Sequence, residues 1–115
     1  MRDPERDAGR LRHIVTYANN VEEMIDGITY EDFANDKIRY FAVMKNIEVV
    51  GEAAYMLSKE FIIMHPELTW QQIIGMRHVL VHGYATVSSQ KLWMTAKRDI
   101  PSLKNQVQKY LEEIE

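Results

Sequence analysis

The chain reads as an all-α protein: an antiparallel four- to five-helix bundle with a kinked last helix. Three observations predict this class. Apolar residues recur at steps of three and four through most of the 115 positions. Helix starters and breakers (Gly27, Thr29, Asp36, Pro66, Gly83) fall between the periodic segments. No segment joins period-two alternation to turn signals, so no strand is expected. At this length a single domain over 1–115 is the expectation, with roughly two thirds of the unfolded surface buried.

The first helix is expected over 5–27. Leu11, Ile14, Val15, Ala18, Val21, Met24 and Ile25 form its stripe, and Gly27 ends it. His13 flanks that stripe as a core-edge or solvated residue. Thr29, followed by Glu31 and Asp32, marks a short second helix whose Phe33 pins it to the core. Asp36 caps a long third helix, Lys37–Phe61. Its apolar set of Phe41, Met44, Ile47, Val50, Ala54 and Leu57 is widened by Ile38, Val43, Val49 and Ala53. One contact face cannot hold so many, so this helix lies against several neighbours or a second subunit. Pro66 breaks the pattern, leaving His65 in a loop. Thr69, with Gln72 three residues on, caps a helix from Trp70 to Val81 or His82, and Trp70 covers one end of the core. Gly83 is a C-cap and Ala85–Val87 a loop. Ser88 or Ser89 then caps a last helix that begins near Gln90 and is kinked or split at Ile100 by Pro101. Glu112, Glu113 and Glu115 are expected to fray.

Composition narrows the function. There is no cysteine, which excludes disulfides, thiolate chemistry and cysteine-bound zinc. The N-terminus is charged, without the apolar run of a signal peptide, and no stretch is long enough to span a membrane. The cytoplasm is the expected compartment. Net charge is −3, unlike a typical binder of long nucleic acid. Local basic groups remain at Arg6, Arg10 and Arg12; at Lys91, Lys97 and Arg98; and at Lys104 and Lys109. A solvated face of mixed charge accounts for each of them equally well.

The chemistry concentrates in Trp70–Tyr84, a core-forming run carrying Arg77, His78, His82 and Tyr84. Arginine presents a fixed fork of donors to a phosphate, and histidine moves protons near neutral pH. Together they can cleave a ribose–phosphate backbone without metal or cofactor. The base takes the 2′-hydroxyl proton and arginine stabilises charge on the phosphoryl oxygens. On a helix, Arg77 and His82 lie about 140° and 7.5 Å apart, adjacent along one edge without stacking. A structural ion pair or a helix-end charge explains the same two residues. His78 and His82, at i and i+4, have the spacing of a metal pair but lack the glutamate of an HExxH motif. Glu48 and Glu52 share a face of the third helix around Gly51, a glycine that a close helix contact would justify. Three roles are open to them: orienting an arginine such as Arg77, plain solvation, or acid and metal chemistry.

The pattern R-x4-H-x-Y, here Arg77, His82 and Tyr84, resembles the signature of the HEPN superfamily. The run Val50-Gly51-Glu52-Ala53-Ala54, the Thr69-Trp70 pair, the Gly75-Met76-Arg77 segment and Trp93 extend the resemblance to HepT-like toxins over nearly the whole chain. It implies a HEPN-like bundle and a metal-independent ribonuclease with Arg77 and His82 catalytic. It also implies a homodimer whose paired motifs form a composite site. A nucleotidyltransferase-type antitoxin would silence the toxin by adenylylating Tyr84; a cleft-lining tyrosine that stacks a base is the other role open there. The position after the arginine is commonly asparagine in this family and is His78 here. His78 can orient the phosphate or the catalytic histidine, with Glu52 supporting the arginine; it can add a second proton carrier; or it can weaken the nuclease. The competing reading is a non-catalytic helical module that binds a nucleotidyltransferase or a nucleotide.

Overall fold

The computed structural model describes residues 4–114, which contain helices and no strand. Helix α1 covers Pro4–Ile25, α2 Tyr30–Asn35 and α3 Lys37–Tyr55. Then come α4, Lys59–Met64; α5, Trp70–Gly83; α6, Ser89–Met94; and α7, Ile100–Ile114. Residues 1–3 and Glu115 lie outside the described residues, and with them the start of the charged N-terminus and the last of the expected frayed glutamates.

The core forms where the apolar stripes meet. Leu11, Ile14, Ala18, Val21 and Ile25 of α1 are buried against Val43, Ile47, Val50 and Ala54 of α3 on one side. On the other, Leu103, Val107 and Tyr110 of α7 close over α1. Polar contacts along α1 and α3 run in opposite directions. Asp7 meets Ser58, Asn20 bonds Asn46, and the carbonyl of Met24 accepts from Arg39, so the two helices are antiparallel. Helix α5 packs on α3, and its first residue also reaches α7, where the Trp70 and Tyr110 rings lie 6.5 Å apart.

Helix starts follow the short polar side chains. Thr29 accepts from the Asp32 N–H at 3.1 Å while Asp32 accepts from the Thr29 N–H, a complete capping box. Asp36 caps α3 through the Arg39 N–H, and that bond holds its carboxyl below the ordinary carboxylate range. Ser88 caps α6 at 3.1 Å. Gly27, at φ 71°, ends the first turn in a conformation only glycine adopts freely.

Four expectations are corrected. The third helix does not run to Phe61. It stops at Tyr55, and Ser58 starts the separate α4 by capping the Phe61 N–H. Ile38 and Phe41, two members of the apolar set that is too broad for one contact face, are 86% and 51% exposed. Thr69 precedes α5 but makes no cap bond; its hydroxyl donates to Gln72 Oε1 instead. Gly83 is the last residue of α5 rather than a left-handed cap, at φ −147°. The loop after it is a single 3₁₀ turn, Tyr84–Thr86.

The kink of the last helix proves to be a π turn over Thr95–Asp99, where the Ile100 N–H reaches back to the Thr95 carbonyl. Pro101, one residue later, has no N–H to continue the α ladder. The wider turn absorbs that missing donor and keeps Ala96, Ile100 and Leu103 in the core.

Candidate active site on the fifth helix

Gly51 determines how near α5 comes to α3. A Cβ there would lie 2.5 Å from the Arg77 Cβ and 3.2 Å from the Ile73 carbonyl, so only glycine permits this crossing. The close contact anticipated for Gly51 is therefore with the arginine's own backbone. It brings Arg77 beside the outward face of α3, where Glu52 and Tyr55 stand one turn apart. Arg77 Nε donates to Glu52 Oε2. The guanidinium lies over the Tyr55 ring, 4.5 Å from its centroid. Among the described residues its Nη groups have no further hydrogen-bond or ion-pair partner. Of the two glutamates, Glu52 is the one that meets the arginine. Glu48 instead pairs at 3.6 Å with Lys45.

His82 does not join this group. It is exposed near the end of α5, and its ring lies 4.7 Å from that of His78 one turn earlier. No hydrogen bond connects either imidazole to Arg77 among the described residues. Two half-assemblies thus flank one helix: an arginine fixed by α3, and a pair of solvent-facing imidazoles. Tyr84 follows at once in the 3₁₀ turn and is 58% exposed. Among the described residues, no group of three or more His, Asp or Glu side chains is placed to share a metal ion.

The remaining sequence candidates sit elsewhere. His65 lies in the loop after α4, as expected, and is held there: it stacks on Phe61 at 4.1 Å, and its carbonyl accepts from Trp70 Nε1 at 2.8 Å. Lys97 lies over the Trp93 ring, Arg98 pairs with Asp99, and Lys104 pairs with Glu22 at 2.6 Å. A cavity of about 220 Å³ opens between α5 and the π turn, lined by Gln72, Ile73 and Met76 on the α5 side and by none of Arg77, His78 or His82. Sequence reasoning missed Tyr55. The signal was present, since Tyr55 stands three positions after Glu52 and so shares its face.

These features define an all-α domain that presents an anchored arginine and exposed histidines on one helix, α5. A family model described as "Ribonuclease HepT-like" matches residues 14–110. The chain is 42% identical over 99 residues to the "Probable ribonuclease HepT" of Thermococcus cleftensis, covering 86% of this chain and 90% of that one. It is 36% identical over 102 residues to the "Putative RNase TTE0752" of Caldanaerobacter subterraneus subsp. tengcongensis, covering 89% and 91%. No solved structure matches it comparably. The chain belongs to the ribonuclease HepT-like family of the HEPN superfamily, and by that membership it is of the ribonuclease class. No helix among the described residues is long and apolar enough to cross a membrane.

Proposed function

We propose that this single-domain chain is a metal-independent endoribonuclease acting in the cytoplasm as the toxin of a type VII-like toxin–antitoxin pair. His82 removes the 2′-hydroxyl proton of a ribose. The freed oxygen attacks the adjacent phosphorus and forms a 2′,3′-cyclic phosphate. The 5′-oxygen departs and takes a proton from the imidazolium or from water. Arg77 meets the charge that grows on the phosphoryl oxygens. Glu52 keeps the arginine extended, and His78 orients or seconds His82. The observation that supports this best is the state of Arg77, tied at Nε while its outer nitrogens have no partner among the described residues.

Arg77 and His82 lie about 140° apart around α5. One phosphate therefore meets both more readily where two copies face each other. A homodimer with a composite site supplies that arrangement, and the exposed Ile38, Phe41 and Val81 are apolar surface for it. The deciding assay is cleavage of single-stranded RNA by wild type, Arg77→Ala and His82→Ala, with product ends analysed. Wild type is expected to yield cyclic phosphates. Each variant should lose about 100-fold or more in rate. Equal cutting by all three proteins refutes the reading and points to a contaminant.

Tyr84 is the regulatory acceptor in this scheme. Its exposed hydroxyl would attack the α-phosphorus of ATP held by a nucleotidyltransferase antitoxin and release pyrophosphate. The adenylyl group then places bulk and a negative phosphate beside the histidines. Co-expression with such an enzyme should add one adenylyl mass to the wild type and none to Tyr84→Phe. Modification mapped to another residue would remove Tyr84 from this role.

A further inference from the structure

We infer that Tyr55 is a positioning residue for Arg77, holding the guanidinium so that its outer nitrogens face the RNA phosphate; this rests on the ribonuclease reading above. Three neighbours on one stretch of α3 surround the arginine. Gly51 admits its backbone, Glu52 takes Nε, and Tyr55 lies under the guanidinium at 4.5 Å. An arginine free in water loses side-chain entropy when it grips a phosphate. Two fixed contacts remove that cost before substrate arrives.

The two contacts differ in kind. Glu52 orients by charge and so cancels part of the attraction that Arg77 offers a phosphate. The Tyr55 ring orients through its π face, which carries no net charge, and leaves that attraction intact. Tyr55 is 55% exposed and outside the buried core, so packing does not explain its place. Its described ring contact is with Arg77 alone.

The test separates binding from chemistry. Affinity is measured for a single-stranded 2′-O-methyl oligoribonucleotide, which keeps the phosphates and cannot be cut, and KM and kcat for the cleavable RNA. Tyr55→Leu should weaken binding and raise KM about five- to tenfold, as expected for loss of a partly exposed cation–π contact. Its thermal midpoint should be unchanged. Tyr55→Phe keeps the ring face and should stay within about twofold of wild type. In an Arg77→Ala background, Tyr55→Leu should have no further effect, because Tyr55 acts through the arginine. The inference is overturned if Tyr55→Leu matches wild type, or if it costs the same with and without Arg77, while cleavage still depends on His82. Cleavage indifferent to His82 overturns the ribonuclease reading instead, and the uncuttable probe then still reports the Arg77–Tyr55 coupling. Failure of the wild type to bind that probe overturns both.

Discussion

Single atoms decide the geometry of Arg77. Replacing Gly51 with alanine puts a methyl carbon 2.5 Å from the Arg77 Cβ, against backbone-anchored atoms that cannot turn aside. Helix α5 must move outward, as in an overpacked core. Gly51→Ala should therefore destabilise the fold by about 1–3 kcal/mol by denaturant titration, despite alanine's better helix propensity. A stabilised variant would mean that the crossing is looser than described. Tyr110 is a second residue-scale case. It is buried, its hydroxyl bonds Glu67 Oε1 at 3.1 Å, and burial first of all pushes its pKa up to about 12. The folded state thus holds this proton more tightly than the unfolded chain does. That contribution is complete below pH 10 and is lost as pH rises from about 10 to about 12. Alkaline denaturation should steepen in that window for wild type and be shallower there for Tyr110→Phe.

Helix boundaries depend on polar clamps between elements. The turn separating α3 from α4 is fastened by Asp7, a buried carboxylate near the start of α1. Asp7 accepts from the Ser58 N–H at 2.9 Å and from the Ser58 hydroxyl at 2.7 Å, while the same hydroxyl caps α4. Asp7→Ala strips a charged partner from two donors and should cost about 2–3 kcal/mol; Asp7→Asn should recover part of that. Equal melting of Asp7→Ala and wild type would show that water replaces the clamp. Ser58 is a good helix starter, visible in the sequence. The apolar residues on both sides of it continue one stripe, so periodicity alone joins α3 to α4. Pro101 was legible as a disturbance of the last helix. Its resolution into a π turn was not, because that choice depends on keeping Ala96 and Ile100 buried together.

At the scale of the molecule, the proposed dimer makes a concentration-dependent claim. The outward side of α3 carries Ile38 and Phe41 at one end and Glu52 and Tyr55 at the other. Ile38→Asp with Phe41→Asp should shift light scattering from dimer to monomer and lower RNA cleavage by on the order of tenfold or more, with little change in unfolding, since neither residue serves the core. A monomeric wild type that cuts RNA at full rate would show that one chain suffices.

The sequence by itself determined the helical class, the stripes of α1 and α7, the caps at Thr29 and Asp36, a cap at Ser88 or Ser89, and the motif of Arg77, His82 and Tyr84. Each is a local property: a spacing, a cap or a motif that neighbouring residues carry without reference to distant ones. Only the tertiary structure decided that Glu52 rather than Glu48 holds Arg77, that Tyr55 underlies it, and that His82 turns toward His78. Those choices depend on which faces of α3 and α5 meet and how closely. Gly51 controls that distance through a contact 26 positions along the chain, which no local periodicity encodes.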